Sequence, residues 1–384
     1  MRVTMLVRCL AMMRGGGETR HLAWARELKA LGVTVDIVTG RPLFGKPRHS
    51  IDSASVTMIR SPYARDFVYR RQQQRGFGRL TMAALHADEE WFCRAVWRRI
   101  AAGAVKPDIV HAHALHQAAR LRTIDAPVVI NLPGEPHPRY TRDLRSADAL
   151  VADGWAADHL PAVLGCGVER IPKGVDSEQF RPDGSNVREE LRLTSGQVVI
   201  TVARLVPIKN VALLVDAFAL LRDRVPAAHL LIVGDGPEAE ALRNRVLVRG
   251  VANAVTFIGS VPQADTPKLY RSADVFALSS DFDNSPNALL EAMACRLPIV
   301  ATNVGGVREF VTDSRGGAIV PPRDPRAMAG ALERYLTSPD AARGAGAHNR
   351  QRAATEFSWR VSARRLLDVY DRVLAARPGR RASA

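Results

Sequence analysis

A chain of 384 residues, nearly half of them apolar, is long enough for two domains of ordinary size, each with its own core, and reads as globular. A formal net charge of +15 suggests an anionic partner or surface, with arginine-rich coding in a high-GC genome as the alternative source of part of it. The four cysteines, Cys9, Cys93, Cys166 and Cys295, lie far apart with no C-x-x-C, which argues against a disulfide framework or zinc knuckle and for a reducing cytoplasm.

The opening residues MRVTMLVRCLAMM place a basic residue before an apolar run, as a signal peptide does. Arg8 interrupts that run and no small-residue cleavage site follows, so a first β-strand is expected instead. No run reaches the ~18 apolar residues of a membrane span, and any membrane contact is expected to be peripheral. Alternation of apolar runs and amphipathic helices then begins: VTMLV (Val3 to Val7), a glycine-rich turn, HLAWARELKALG, and VTVDIVTG (Val33 to Gly40). Such βαβ units imply a parallel sheet covered by helices.

Further strands are expected at Val56 to Ser61, Asp108 to Ala114, Pro127 to Leu132, Ala149 to Gly154 and Arg170 to Val175. After the polar stretch FRPDGSNVREELRL a second series runs through Val198 to Leu205, His229 to Gly236, Val255 to Val261, Val275 to Ser280, Pro298 to Asn303 and Gly317 to Pro322. Two Rossmann-like halves joined near Arg181 to Asp183 are the natural architecture.

Several short patterns carry chemistry. Gly15, Gly16 and Gly17 follow the first strand and precede a helix, where glycines let backbone approach a phosphate, or simply make a tight turn. Arg60 to Leu80 interleaves arginines with Tyr63, Phe67, Tyr69 and Phe77, a pattern for an anionic membrane surface or an exposed loop. No nucleic-acid fold signature accompanies it, so no nucleic acid is expected. In HAHALH, His111 and His113 share one face of a strand, but no nearby acid or thiol completes a coordination set, and no metal is expected. Arg204 and Lys209 follow the second series' first strand, where a guanidinium fork and an ammonium can clamp a diphosphate. VGDGPEAEAL, with Gly234, imitates a dinucleotide fingerprint but lacks its third glycine.

The most informative stretch is SSDFDNSPNALLEAMACRLPIVATNVGG, Ser279 to Gly306. Asp283, Asn284 and Ser285 are good N-cap residues and Pro286 suits a first turn, so a helix is expected from there to about Arg296. Leu290, Met293 and Leu297 fall on one face, Asn287 and Glu291 on another. Asp283 and Glu291 can then both face one crevice as hydroxyl acceptors, or serve as an ordinary cap and a solvated helix residue.

This stretch resembles the E-x7-E segment of the retaining, GT-B fold glycosyltransferases of family 4 (glycosyltransferase group 1). Glu291 matches the second acid, and Pro286, Asn287, Leu290, Ala292 and Met293 match its surroundings. Asp283 stands where the family usually has Glu, Asn284 where it often has Gly, and Arg296 where Gly is common. The resemblance covers most of the chain. It implies two Rossmann-like α/β domains facing across a cleft: residues 1–180 on the acceptor side, residues 181–357 for the nucleotide sugar, and a final helix within 358–384 crossing back. It implies donor contacts at Gly15, Gly16, Gly17, Gly234, Asn287 and Glu291, and catalytic roles for Arg204, Lys209 and Asp283. Gly305, Gly306 and Glu309 would close the donor crevice. PDIVHAH recurs in the family near the cleft. A His is usual where Pro133 stands here; His137, four residues on, is a partial substitute or an ordinary surface residue.

The expected function is therefore that of a hexosyltransferase-like enzyme, moving a sugar from a nucleotide diphosphate donor to an acceptor hydroxyl on a glycan or lipid, such as a lipid-linked or cell-surface glycan precursor. Neither metal nor cofactor is expected, and the location is cytoplasmic, peripheral on the inner membrane face. A nucleotide-sugar epimerase on the same fold, and a catalytically idle sugar-nucleotide-binding or membrane scaffold, remain as alternatives.

Overall fold

The computed structural model of the chain describes residues 1–12, 15–42, 56–62, 79–193, 197–311 and 315–377. The chain divides into two compact units, Met1–Pro172 with Ser362–Ala384, and Lys173–Val361.

The first unit is built on a parallel sheet of β1 (Arg2–Leu6), β2 (Thr34–Pro42), β3 (Val56–Ser61), β4 (Ile109–His113), β5 (Val128–Leu132), β6 (Ala149–Ala152) and β7 (Glu169–Arg170), in the order β3-β2-β1-β4-β5-β6-β7. Its central strands are apolar almost throughout because both faces of a parallel sheet are covered, and β5 is buried at every residue. On one side the helix Arg79–Ala101 presents Phe92, Cys93, Val96, Trp97 and Ile100, at helical spacing, to the buried core. The last helix, Trp359–Ala375, contributes Leu366, Val369 and Tyr370 to the buried interior of this unit from Ser362 onward. Trp24 fixes it by donating from Nε1 to Ser362 Oγ at 2.7 Å, while Ser362 Oγ donates to the Pro172 carbonyl at 2.5 Å.

The second unit has a parallel sheet of β8 (Val198–Val202), β9 (His229–Val233), β10 (Val255–Gly259), β11 (Val275–Leu278), β12 (Ile299–Thr302) and β13 (Gly317–Val320), ordered β10-β9-β8-β11-β12-β13. Alternate residues of its strands supply two cores: Phe276 and Leu278 join Leu290 and Met293 on one face, Val275 and Ala277 join Phe218 and Leu230 on the other. Each sheet places its second and third strands on one side of its first and the later strands on the other, the doubly wound order. The order reverses between β1 and β4 in one unit and between β8 and β11 in the other. Open α/β sheets bind ligands at that point, beyond the carboxyl ends of the strands.

Three local expectations are corrected. The run Arg170 to Val175 pairs in the sheet only at Glu169–Arg170; further on, Val175 bridges to Ser358. The second unit begins at Lys173, ahead of Arg181 to Asp183, because Val175 and Phe180 are already buried in its core. Gly16 and Gly17 are the first residues of the helix Gly16–Ala30, not a separate turn. No helix among the described residues is long and apolar enough to cross a membrane. Most of the basic aromatic segment Arg60 to Leu80 lies outside the described residues.

Candidate functional site

In the second unit the loops after β8 and β11 meet at the point where strand order reverses. They are held together by several bonds: Asp281 N–H donates to Ile208 O at 2.9 Å, Ser279 Oγ to Lys209 O at 3.2 Å, and Asn210 Nδ2 to Asp281 Oδ1 at 2.9 Å. Asn210 adopts a left-handed conformation, φ 40°, and caps the helix Val211–Arg222 by accepting from Leu213 N–H. Asn tolerates that backbone region better than most residues. Arg204 and Lys209 stand on the first loop. Lys209 is ion-paired with Asp283 of the second, with 19% and 12% of their side chains exposed. Arg204 is exposed, and its guanidinium makes no ion pair among the described residues.

The helix expected from Asp283 onward starts later. It spans Asn287–Ala294, with Pro286 at the N-cap and no side-chain cap. The reason is the ion pair: Asp283 faces Lys209, and its carbonyl accepts from Gly306 N–H at 3.0 Å, so it is committed to the neighbouring loops. The helix ends before Arg296, which sits in left-handed backbone at φ 66°, a conformation that favours glycine.

Asn287 and Glu291 share a face of this helix, as expected. Glu291 accepts from the Tyr270 hydroxyl at 2.8 Å and also from Gln263. Burial raises its pKa, an effect opposed by those two hydrogen bonds and by the Lys173 charge. Glu291 is therefore a held, desolvated carboxyl and not a solvated helix residue. Beside it, Asn287 Oδ1 and Ser285 Oγ are buried with no hydrogen-bond partner among the described residues. Unpaired buried polar atoms are costly, and they mark a place where polar groups of a ligand can be accommodated.

Glycines let the loops approach. A Cβ on Gly305, at φ +50°, would lie 1.9 Å from Asp283 O, and one on Gly234, at φ +127°, 1.9 Å from Ala203 O. Gly234 N–H is already taken by Gly259 O at 2.8 Å, so its part here is close packing after β9. Glu309 lies on the short helix Val307–Phe310, and its carbonyl accepts from Arg352.

Composition and spacing missed two partners of Glu291. Lys173 is buried and donates to Ser285 O at 2.6 Å. Its signal was a lysine inside the apolar run RIPKGV. Tyr270 is buried in full; nothing in its local sequence distinguishes it from a core aromatic.

In the first unit, Gly15 N–H is bonded to Glu18 Oε2 at 3.1 Å, closing the start of the helix. Gly17 packs on His113, where an added Cβ would stand 2.3 Å from Nε2. His111 and His113 do share a face, against His21 at ring-centroid distances of 5.2 and 4.4 Å. The hydrogen bonds set the tautomers. His21 Nδ1 donates to the Gly17 carbonyl at 2.8 Å, so its Nε2 accepts from His111 Nε2 at 3.3 Å, and His111 Nδ1 accepts from the Tyr370 hydroxyl at 2.8 Å. Burial holds both imidazoles neutral; His111 is lowered to about 3 and His21 well below its ordinary value. Pro133 and His137 line a separate cavity with Arg8, Glu89, His116 and Tyr140. Among the described residues no cluster of His, Cys, Asp or Glu is suited to a metal ion.

Residues 185–352 match the family of glycosyl transferases group 1. The chain is 35% identical over 212 residues to the GDP-mannose-dependent alpha-(1-6)-phosphatidylinositol monomannoside mannosyltransferase of Mycolicibacterium smegmatis, covering 53% of this chain and 56% of the relative. It is 33% identical over 287 residues to the D-inositol 3-phosphate glycosyltransferase of Acidothermus cellulolyticus, covering 69% and 62%. The chain thus spans little more than half the length of these relatives. Among solved structures, sucrose-phosphate synthase from Thermosynechococcus elongatus superposes with a TM-score of 0.78 at 20% identity, over 98% of this chain and 100% of that one. The Anabaena protein HepE, in complex with UDP and glucose, gives 0.73 at 19%, over 97% and 100%. At those identities the likeness shows the fold, two parallel-sheet Rossmann-like domains of GT-B type. Residues 185–352, within the second unit of this two-domain fold, therefore carry the likeness to the group 1 glycosyltransferases.

Proposed function

We propose that the chain is a retaining glycosyltransferase that takes a hexose from a nucleotide diphosphate sugar and gives it to a hydroxyl of a lipid-linked or cell-surface glycan precursor. The observation that carries the reading is the meeting, at the β8/β11 switch point, of the loop bearing Arg204 and Lys209 with the loop and helix bearing Asp283, Asn287 and Glu291. Arg204 and Lys209 bind the diphosphate and stabilise the charge that develops on it as the bond to the sugar loosens. Glu291, whose carboxylate oxygens each accept more than one hydrogen bond, takes a ribose hydroxyl while keeping Tyr270. Asp283 faces the sugar once the diphosphate competes for Lys209. Gly15, Gly16 and Gly17 lie at a helix start, which suits an anionic group of donor or acceptor. The departing phosphate oxygen receives the acceptor's proton, and no step requires a metal.

A lipid-linked acceptor is supported by the relative named for phosphatidylinositol monomannoside and by the net charge of +15, which favours an anionic inner membrane face. The experiment is a thermal-stabilisation screen across nucleotide sugars, followed by turnover with the one that stabilises. A donor at 100 times its dissociation constant adds ~2.7 kcal/mol. A panel that leaves the melting temperature unmoved contradicts the reading, and binding without nucleotide release reassigns the chain to the idle scaffold.

A further inference from the structure

Lys173 opens the second unit and is only 8% exposed, a degree of burial that lysine seldom reaches without partners. The residues after it are fixed: Val175 N–H donates to Phe357 O at 2.7 Å, and a Cβ on Gly174 would stand 2.5 Å from the Trp359 ring. So placed, Lys173 Nζ donates to the Ser285 carbonyl at 2.6 Å, across 112 residues of sequence. Ser285 stands two residues ahead of the helix Asn287–Ala294, which has no side-chain cap. The bond from Lys173 therefore holds the approach to that helix, where a capping side chain would otherwise fix it.

The segment Asp283 to Ser285 is thus tied at both ends by a lysine from another element: Lys209 pairs with the Asp283 carboxylate, and Lys173 bonds the Ser285 carbonyl. Under the proposed function an incoming diphosphate competes for Lys209, so the Asp283 end is the one released and the Ser285 end stays held. An ammonium in this place is costly twice over, because burial strips its hydration and the positive end of a helix repels it. An apolar side chain would be spared both costs. What offsets them is the Ser285 carbonyl together with the Glu291 carboxylate. Glu291 is faced by the Tyr270 hydroxyl, by Gln263 and by Lys173, with the Cys295 thiol one turn along its own helix. Burial pushes Cys295 up to about 12 and Tyr270 well above its ordinary value, so both stay neutral. Lys173 brings the positive charge that opposes the effect of burial on the carboxyl.

We infer that Lys173 is a positioning residue for the donor: it holds the start of the helix that carries Asn287 and Glu291, and it supplies the countercharge to the Glu291 carboxylate. The inference rests on the donor role proposed above for Glu291, and adds to it a residue that acts on the donor through Glu291 and the helix start.

The test is calorimetric titration of the full chain, of Lys173→Met and of Lys173→Gln with GDP and with UDP, from neutral to acid pH. At neutral pH Lys173→Met is expected to bind the tighter of the two nucleotides about tenfold more weakly than wild type does. Without the ammonium the Glu291 carboxyl rises further, so the loss of affinity on acidification moves to higher pH in both variants. Lys173→Gln keeps a polar group beside Ser285 and removes the charge, and it carries the pH test alone if Lys173→Met does not fold. Lost packing by itself lowers affinity without moving that midpoint. A midpoint unmoved or lowered in the folded variants, or wild-type affinity in them at neutral pH, overturns the inference. Failure of both nucleotides to bind the wild-type chain overturns the transferase reading and this inference with it, whereas binding to wild type with unchanged variants counts against Lys173 alone.

Discussion

Lys209 and Asp283 neutralise each other across the β8 and β11 loops, both largely withdrawn from solvent, while Arg204 on the same loop as Lys209 stays exposed and makes no ion pair among the described residues. The two cations of the proposed diphosphate clamp therefore start from different states. Lys209 must be shared between a carboxylate and an incoming anion, whereas Arg204 is available at once.

The difference separates their variants. Arg204→Ala is expected to weaken a nucleoside diphosphate by about 10- to 100-fold, leave the nucleoside nearly unaffected, and change stability by less than about 0.5 kcal/mol. Lys209→Ala is expected to weaken the diphosphate similarly and also to destabilise the fold by about 1–3 kcal/mol, because Asp283 is left without its cation. Calorimetric titration and urea unfolding of both variants measure these quantities. Equal losses for diphosphate and nucleoside rule out a clamp.

In its proposed role, Glu291 is expected to make donor binding pH-dependent. Its carboxyl is raised by burial and restrained by the Tyr270 hydroxyl, so the ionised form that accepts a ribose hydroxyl is lost as pH falls through that raised value. Removing the hydroxyl in Tyr270→Phe raises the carboxyl further and moves the loss of donor affinity to higher pH. Dissociation constants measured from neutral to acid pH report the midpoint; a midpoint unmoved or lowered in Tyr270→Phe removes Glu291 from that role.

His111 sets a stability term of the opposite kind from a salt bridge. The unfolded chain takes up a proton on this residue near ~6.5, but the folded chain holds it neutral down to about 3. The unfolded state thus binds more protons in between, and folding stability is complete above ~6.5 and falls by about 1.4 kcal/mol per pH unit as pH drops toward the folded value. His111→Gln lacks that slope. Unfolding free energies at several pH values should converge for the two proteins as pH falls from neutral; parallel curves would show that the imidazole is already protonated in the fold.

Two glycines with positive φ separate crowding from conformation. Gly32, at φ +84°, has open space where a Cβ would go, whereas Gly305, at φ +50°, would put one 1.9 Å from Asp283 O. Gly32→Ala is expected to cost about 1 kcal/mol, the conformational term alone, and Gly305→Ala at least about 2 kcal/mol, with donor affinity falling as the Asp283 loop is displaced. Equal destabilisation of the two by urea would show that the loops do not need this contact.

The fold was largely legible because a parallel sheet covered on both faces writes its strands as short apolar runs, and the runs from Val3 to Pro322 all carry strands of the two sheets. Arg170 to Val175 misled in part because its apolar residues serve a crossing between units as well as a sheet edge. The placement of the candidate residues was legible where they sit on regular spacing, as with Asn287 and Glu291, or on loops after strands, as with Arg204 and Lys209. Pairing was not. The same features that make Asp283 a good helix cap make it a good partner for a lysine that is 74 residues away in sequence. Glu89 and His116 come together only through packing of a helix against the end of β4, a relationship that no local pattern encodes.

Same-face transfer from a nucleotide diphosphate sugar, as proposed, is tested most directly by the product's anomeric configuration. With an α-linked donor and the acceptor that supports turnover, the proton NMR coupling at the new anomeric centre should report an α linkage, unchanged in the small amount of product made by Glu291→Ala. A β linkage would contradict the retaining mechanism.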